Sequence, residues 1–286
     1  MIDAFHSNWT KPFFVNNNNK DYFIEDFEIL TTILSALKWQ ENNGDIKMIT
    51  DSIGKKYYEF LGINDLWNLG IDTSLDNIDK RIDPKIFWAA GKLFALKNTK
   101  SPIVMMDTDF IVWKPLNYMI KNKELCIVHR EGISPEVYPN KDYFTFNNNY
   151  TFNPKWDWNE EPCNTCFTYI NNDIFKEYYI NSAIDFMSNR CKDNDQIKNM
   201  VFAEQRLISM CAKEKNIKIS SLTTLMELAK KEQSYFTHTW GFKEVMRRDY
   251  EIRYNFCVKC IQRILKDFPH YRDKLYNIIE LRKYFK

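Results

Sequence analysis

The stretch Pro102-Ile103-Val104-Met105-Met106-Asp107-Thr108-Asp109-Phe110-Ile111-Val112-Trp113-Lys114-Pro115-Leu116 decides the fold. Ile103 to Met106 form an unbroken apolar run, the signature of a strand buried on both faces in a parallel sheet. The run stops at Asp107 and Asp109, after which Phe110 to Trp113 resume an extended pattern and Pro115 opens a short helix. Ligand crevices of open α/β sheets lie at the carboxyl ends of strands, so two carboxylates stand where a site belongs. A tight turn between two strands aims both at one hard cation, which takes oxygen ligands.

Upstream, strands and helices alternate. Ile2 to Phe5 predict a first strand, and Ile24, Phe27, Leu30, Ile33, Leu34 and Leu37 recur at helical spacing before a second strand, Ile46 to Ile49. Asp51 or Ser52 caps the next helix, which Gly62 closes, and Asp83-Pro84 predicts the start of another carrying Ile86, Phe87, Ala90, Leu93 and Phe94. Downstream, 135–161 reads as a long aromatic loop over a site, with Tyr138, Tyr143, Phe144, Trp156 and Trp158 suiting either, in part, the acceptor side of a cleft or a satellite core. Cys166 to Ile170 reads as a strand, Asp173 to Arg190 and Met200 to Ala212 as helices, and Tyr235 to Thr239 as a short strand. This is an α/β pattern with a mixed, mostly parallel sheet flanked by helices. It occupies 1–241, and 242–286 form a helical extension with 12 Lys and Arg against 6 Asp and Glu.

Composition bounds the function. The whole chain has 40 Lys and Arg against 38 Asp and Glu, a net charge of +2 that gives no field for a dedicated nucleic-acid binder. The first residues carry no basic and apolar leader and no stretch is long enough to span a membrane, which predicts a soluble, cytoplasmic protein. Seven scattered Cys fit reduced thiols. Cys163-x-x-Cys166 and Cys257-x-x-Cys260 offer a zinc reading, weakened by their distance apart. Arg247, Arg248, Arg253, Lys259, Arg263 and Lys266 alternate with Ile252, Phe256, Ile261, Ile264 and Leu265, a stripe that suits either an anionic membrane or packing on the main domain.

PIVMMDTDFIVWKPL resembles the DxD segment of GT-A-fold glycosyltransferases, particularly the glycogenin-like and bacterial galactosyltransferase group. Three further segments fit in order: Phe87-Trp88-Ala89-Ala90-Gly91-Lys92-Leu93, Pro162-Cys163-Asn164-Thr165-Cys166 and Phe202-Ala203-Glu204-Gln205-Arg206. A fourth, His238-Thr239-Trp240-Gly241-Phe242-Lys243, is similar to the family's His-x-x-Gly segment, with Lys one residue early. The resemblance implies a Rossmann-like GT-A domain that moves a sugar from a nucleoside diphosphate, most often UDP, to a glycan or lipid-linked hydroxyl, as in bacterial surface polysaccharide synthesis, with retention of configuration. It implies Asp107, Asp109 and His238 as ligands of Mn²⁺ or Mg²⁺, Lys92, Lys243 and Gly241 at the diphosphate, Ser7, Asn8 and Trp9 at the base, and Asp51 as a further nucleotide-side candidate. Asn164 then meets the donor sugar, and Glu204 or Gln205 stands beside the anomeric carbon. Two alternatives compete: a non-catalytic nucleotide-sugar binder, and a haloacid-dehalogenase-type phosphatase, which also uses DxD but normally near the N-terminus.

Overall fold

The computed structural model describes residues 1–147, 149–191 and 195–285. Its centre is a seven-stranded sheet. In chain order the strands are β1 (Ala4–Asn8), β2 (Ile46–Thr50), β3 (Ile71–Asp72), β4 (Ile103–Met106), β6 (Leu125–Ile127), β7 (Phe167–Ile170) and β8 (Ile219–Ser221). Across the sheet they run β3-β2-β1-β4-β7-β6-β8, with β7 antiparallel to both neighbours and every other pair parallel. β5 (Phe110–Val112) and β9 (Phe236–His238) form a separate antiparallel pair.

β4 coincides with the apolar run that predicts it, and all four of its residues are buried. One face of the sheet packs on helix Asp26–Asn42, whose Phe27, Leu30, Ile33, Leu34 and Leu37 are buried against β-strand residues such as Met48 and Val104. The other face meets helices Ala90–Lys97, Asp173–Asn189 and Leu207–Glu214. At β1 the buried His6 ring ties the layers together. Trp67 Nε1–H donates to His6 Nδ1, so the ring proton sits on Nε2 facing Ser35 Oγ, and Ser35 in turn donates to the Phe110 carbonyl. Desolvation lowers the His6 pKa to about 3.

One expectation is corrected, and two readings that the sequence leaves open meet the packing. The helix expected from Asp83 begins only at Ala90. Asp83 Oδ1 accepts from the nearby Lys85 N–H, and the Asp83 carbonyl receives both Ile86 and Phe87 N–H, closing one turn that does not propagate. The aromatic loop covers the domain, and its rings pack as satellite core. Phe144, Trp156 and Trp158 pack with Phe152, Phe186 and Phe202, and Tyr138 is buried. None of them lines the main cleft described below.

The tail's basic, apolar-striped helix packs on the main domain. Cys257, Ile261 and Ile264 of helix Tyr250–Asp267 are buried in the same cluster as helix Asp26–Asn42, with Ile252, Phe256 and Leu265 packed against it. Of the two readings of this stripe, packing on the main domain is the one its burial matches. The tail's positive charge also has a partner surface. Arg253 pairs with Glu25 and Asp26, Lys283 with Asp26, and Arg247 with Glu25 and Glu28. Those acids stand at a helix N-terminus, where the backbone dipole favours negative charge. Among the described residues no helix is long and apolar enough to cross a membrane.

Candidate functional site

β1 and β4 lie side by side and parallel, and from this pair the sheet extends one way through β2 and β3 and the other way through β7. A cleft of about 570 Å³ opens beside their carboxyl ends, where the strand order reverses. Ser7, Asn8 and Trp9 line it from the end of β1, and Asp107, Thr108 and Asp109 from the end of β4. Asn8 is held in place by side-chain hydrogen bonds with Tyr58 and Tyr22.

The remaining walls come from distant segments. Helix Ala90–Lys97 brings Lys92, and it approaches β1 so closely that a Cβ on Gly91 would stand 2.7 Å from Trp9 Cβ. Asn164, Thr165 and Cys166 line the cleft just before β7. Glu204 and Gln205 sit on a π-helical turn, Phe202–Arg206, inserted in an otherwise α-helical stretch, a local widening often found at functional sites. Pairing of β5 with β9 places Phe110 opposite His238, which brings His238 beside Asp109.

Asp107, Asp109 and His238 each offer a ligand atom, all within 4.8 Å of one another, and among the described residues no other group of His, Cys, Asp and Glu is arranged to hold a metal. Two carboxylates and an imidazole suit Mn²⁺ or Mg²⁺ better than a thiophilic ion. Burial lowers the His238 pKa against the opposing pull of Asp109 and Asp107, which favours the neutral ring that ligates a metal. Cys163, Cys166, Cys257 and Cys260 are free buried thiols; Cys166 lines the cleft, Cys163 lies in the core, and the second pair lies in the tail's core, so the zinc reading falls.

Two lysines balance the buried acids. Lys92 Nζ lies 2.5 Å from Asp107 Oδ1 and 2.7 Å from Glu204 Oε1. Burial opposes its charge, but Asp107 and Glu204 outweigh that and hold its pKa above the ordinary lysine value. Lys243 Nζ lies 3.0 Å from Asp109 Oδ2, which also accepts from Thr239 Oγ1 at 2.8 Å. Although burial raises the pKa of Asp109, Lys243 and His238 bring it below the usual carboxylate value. Counting all lining residues, four carboxylates (Glu28, Asp107, Asp109, Glu204) face three cations (Lys92, Lys243, Arg247). A divalent cation reverses that net negative charge and makes room for an anionic ligand.

Asn164 Nδ2 donates to Glu131, and Gln205 Oε1 accepts from Tyr138 Oη, so both cleft amides are oriented from behind. Two expected residues do not line the cleft. Asp51 accepts from the Thr10 backbone and hydroxyl and from Gly54 N–H, which makes it a buried cap. Gly241 precedes helix Phe242–Arg248 with φ of −62°, a backbone open to any residue. Conversely, Trp88, Trp240, Glu28 and Arg247 line the cleft without having been singled out for it. Both tryptophans lie inside the quoted motifs, whereas Glu28 and Arg247 meet only through packing of the tail on helix Asp26–Asn42.

The chain belongs to a family of unknown function, DUF6734, whose model matches residues 2–279. No curated protein matches its sequence. Among solved structures it is similar to the PaToxG glycosyltransferase, with a TM-score of 0.45 and 12% identity over 80% of this chain and 71% of that one. It is also similar to the glycosyltransferase GlyE of Streptococcus pneumoniae (TM-score 0.39, 14% identity, 78% of this chain and 46% of that one). Mouse xyloside xylosyltransferase 1 in its apo form gives a TM-score of 0.39 and 10% identity over 78% of this chain and 85% of that one.

Proposed function

We propose that this protein is a metal-dependent glycosyltransferase that moves a hexose from a nucleoside diphosphate sugar, UDP-hexose by preference, to a hydroxyl of a glycan or lipid-linked acceptor. One observation carries the reading: Asp107, Asp109 and His238 converge with Lys92 and Lys243 in one cleft at the carboxyl ends of β1 and β4. In this reading Asp107, Asp109 and His238 hold Mn²⁺ or Mg²⁺, which when bound neutralises charge growing on the leaving diphosphate. Ser7, Asn8 and Trp9 receive the base, Lys243 and Lys92 the diphosphate end, and Asn164 the donor sugar. Glu204 and Gln205 face the anomeric carbon. The bond from that carbon to the diphosphate oxygen breaks, a bond to the acceptor oxygen forms, and the acceptor proton leaves with the diphosphate. Retention of configuration follows from the sequence resemblance and belongs to the same proposal.

Screening nucleotide sugars for Mn²⁺-dependent hydrolysis tests this, with water standing in for the acceptor. Release of UDP from one sugar donor supports the enzyme reading. Tight metal-dependent binding without turnover, with or without added saccharide acceptors, favours a non-catalytic binder. Absence of binding by any nucleoside diphosphate overturns both.

A further inference from the structure

Helix Phe242–Arg248 presents Lys243 and Arg247 four residues apart, on one helical face, and both line the cleft. Lys243 is engaged with Asp109. Arg247 has three carboxylate partners: Glu244 at 2.6 Å, Glu25 at 2.9 Å and Glu28 at 3.3 Å. The longest of these contacts is to Glu28, and of the three acids only Glu28 lines the cleft. We propose that Arg247 is a further binding residue for the donor's diphosphate, and that Glu28 holds it at the cleft and yields it when the diphosphate enters. This inference rests on the reading of the cleft as a nucleoside diphosphate site.

Three features favour the exchange. A guanidinium fork matches phosphate oxygens as well as it matches carboxylates, so Arg247 loses nothing in geometry by changing partner. A diphosphate brought near Glu28 is repelled by its carboxylate, and moving Arg247 between them converts that repulsion into a bridge. The exchange also leaves no group stranded. Glu28 Oε2 still accepts from Glu25 N–H in the capping box of helix Asp26–Asn42, and Glu25 keeps Arg253 at 2.7 Å. Lys92 has less freedom, because withdrawing it unpairs both Asp107 and buried Glu204.

Calorimetric titration with UDP, GDP, CDP, ADP and dTDP in Mn²⁺ identifies the tightest nucleotide, which is then used on Arg247→Gln, Glu28→Gln and the double variant. Gln at position 28 preserves the capping box. Arg247→Gln is expected to weaken binding about tenfold, the scale of one charge-assisted hydrogen-bond pair. Glu28→Gln is expected to tighten binding severalfold, and that gain should vanish in the Arg247→Gln background. If folded Arg247→Gln binds like wild type, Arg247 only fastens the helix. If the Glu28→Gln gain persists undiminished without Arg247, it comes from removing a negative charge, and the exchange is wrong. Arg247→Lys keeps the charge without the fork and is expected to lose about threefold; it replaces Arg247→Gln should that variant not fold, and unchanged affinity there also overturns the inference. Wild type that binds none of these nucleotides overturns the donor reading and this inference together, whereas failure of the variant arms alone leaves the donor reading standing.

Discussion

Asp109 is a buried acid of the cleft, 2% exposed and bonded to Thr239 and Lys243. Asp109→Asn keeps its size and removes the charge. It is expected to abolish Mn²⁺-dependent UDP binding in calorimetry while lowering stability by about 1–3 kcal/mol, the cost of leaving a buried partner unsatisfied. An Asp that served only the turn would show the second effect without the first. Lys92 gives the complementary test. Lys92→Met leaves Asp107 and Glu204 without their shared cation, and denaturant unfolding should register a loss of up to about 3 kcal/mol, since stranding a buried charge is strongly destabilising. Adding Glu204→Gln to that variant removes one of the two facing charges and should recover part of the loss. No recovery would mean that Lys92 acts through packing of its stem.

At the scale of elements, what was legible followed the strength of each local signal. β4 and helix Asp26–Asn42 bury long apolar patterns, and both stand where the sequence puts them. β3, β6 and β8 are two or three residues long, too short for any period, and owe their pairing to neighbours distant in sequence. The cleft was legible where a residue ends a strand or starts a helical turn, as Asn8, Asp107, Lys92 and Glu204 do. It was not legible at Glu28 and Arg247, joined by contact between helices over two hundred residues apart in sequence. The aromatic loop stayed ambiguous because Trp156 suits a sugar platform and a core equally well from sequence. Its burial now predicts that Trp156→Ala lowers stability by about 3–5 kcal/mol while UDP binding is unchanged. The His6 relay predicts a pH dependence. Its folded pKa of about 3 lies below the unfolded value of 6.5, so the unfolded chain binds the extra proton first and stability falls as pH drops between the two. From neutrality to pH 5 this one group removes about 2 kcal/mol. Thermal unfolding across that range should show the slope, and His6→Gln should flatten it.

On the scale of the whole molecule the boundary near residue 242 divides the sequence without dividing the core. Cys257, Ile261, Ile264, Tyr271, Leu275, Ile278, Leu281 and Tyr284 are buried in the cluster that holds helix Asp26–Asn42 against the sheet. Each large apolar side chain so buried contributes about 1.5–3 kcal/mol, so together they match or exceed the ~5–15 kcal/mol net stability of a typical domain. A chain ending at Gly241 is therefore expected to lose cooperative unfolding and to aggregate. A separable extension would instead leave the melting temperature within a few degrees. A milder probe keeps the chain intact. Asp26 is 3% exposed and receives Arg253, Tyr284 and Lys283. Burial alone would raise its pKa, but these partners bring it below the usual value. A depressed carboxylate contributes stability that is present above its unfolded pKa and lost as pH falls through the folded one. Asp26→Asn should therefore lower the melting temperature at pH 7 and flatten the acid limb below about pH 4. Because Arg247 stands on the same tail and at the cleft, the variant should also weaken Mn²⁺-dependent UDP binding, and unchanged UDP affinity would show that tail docking and the cleft are independent.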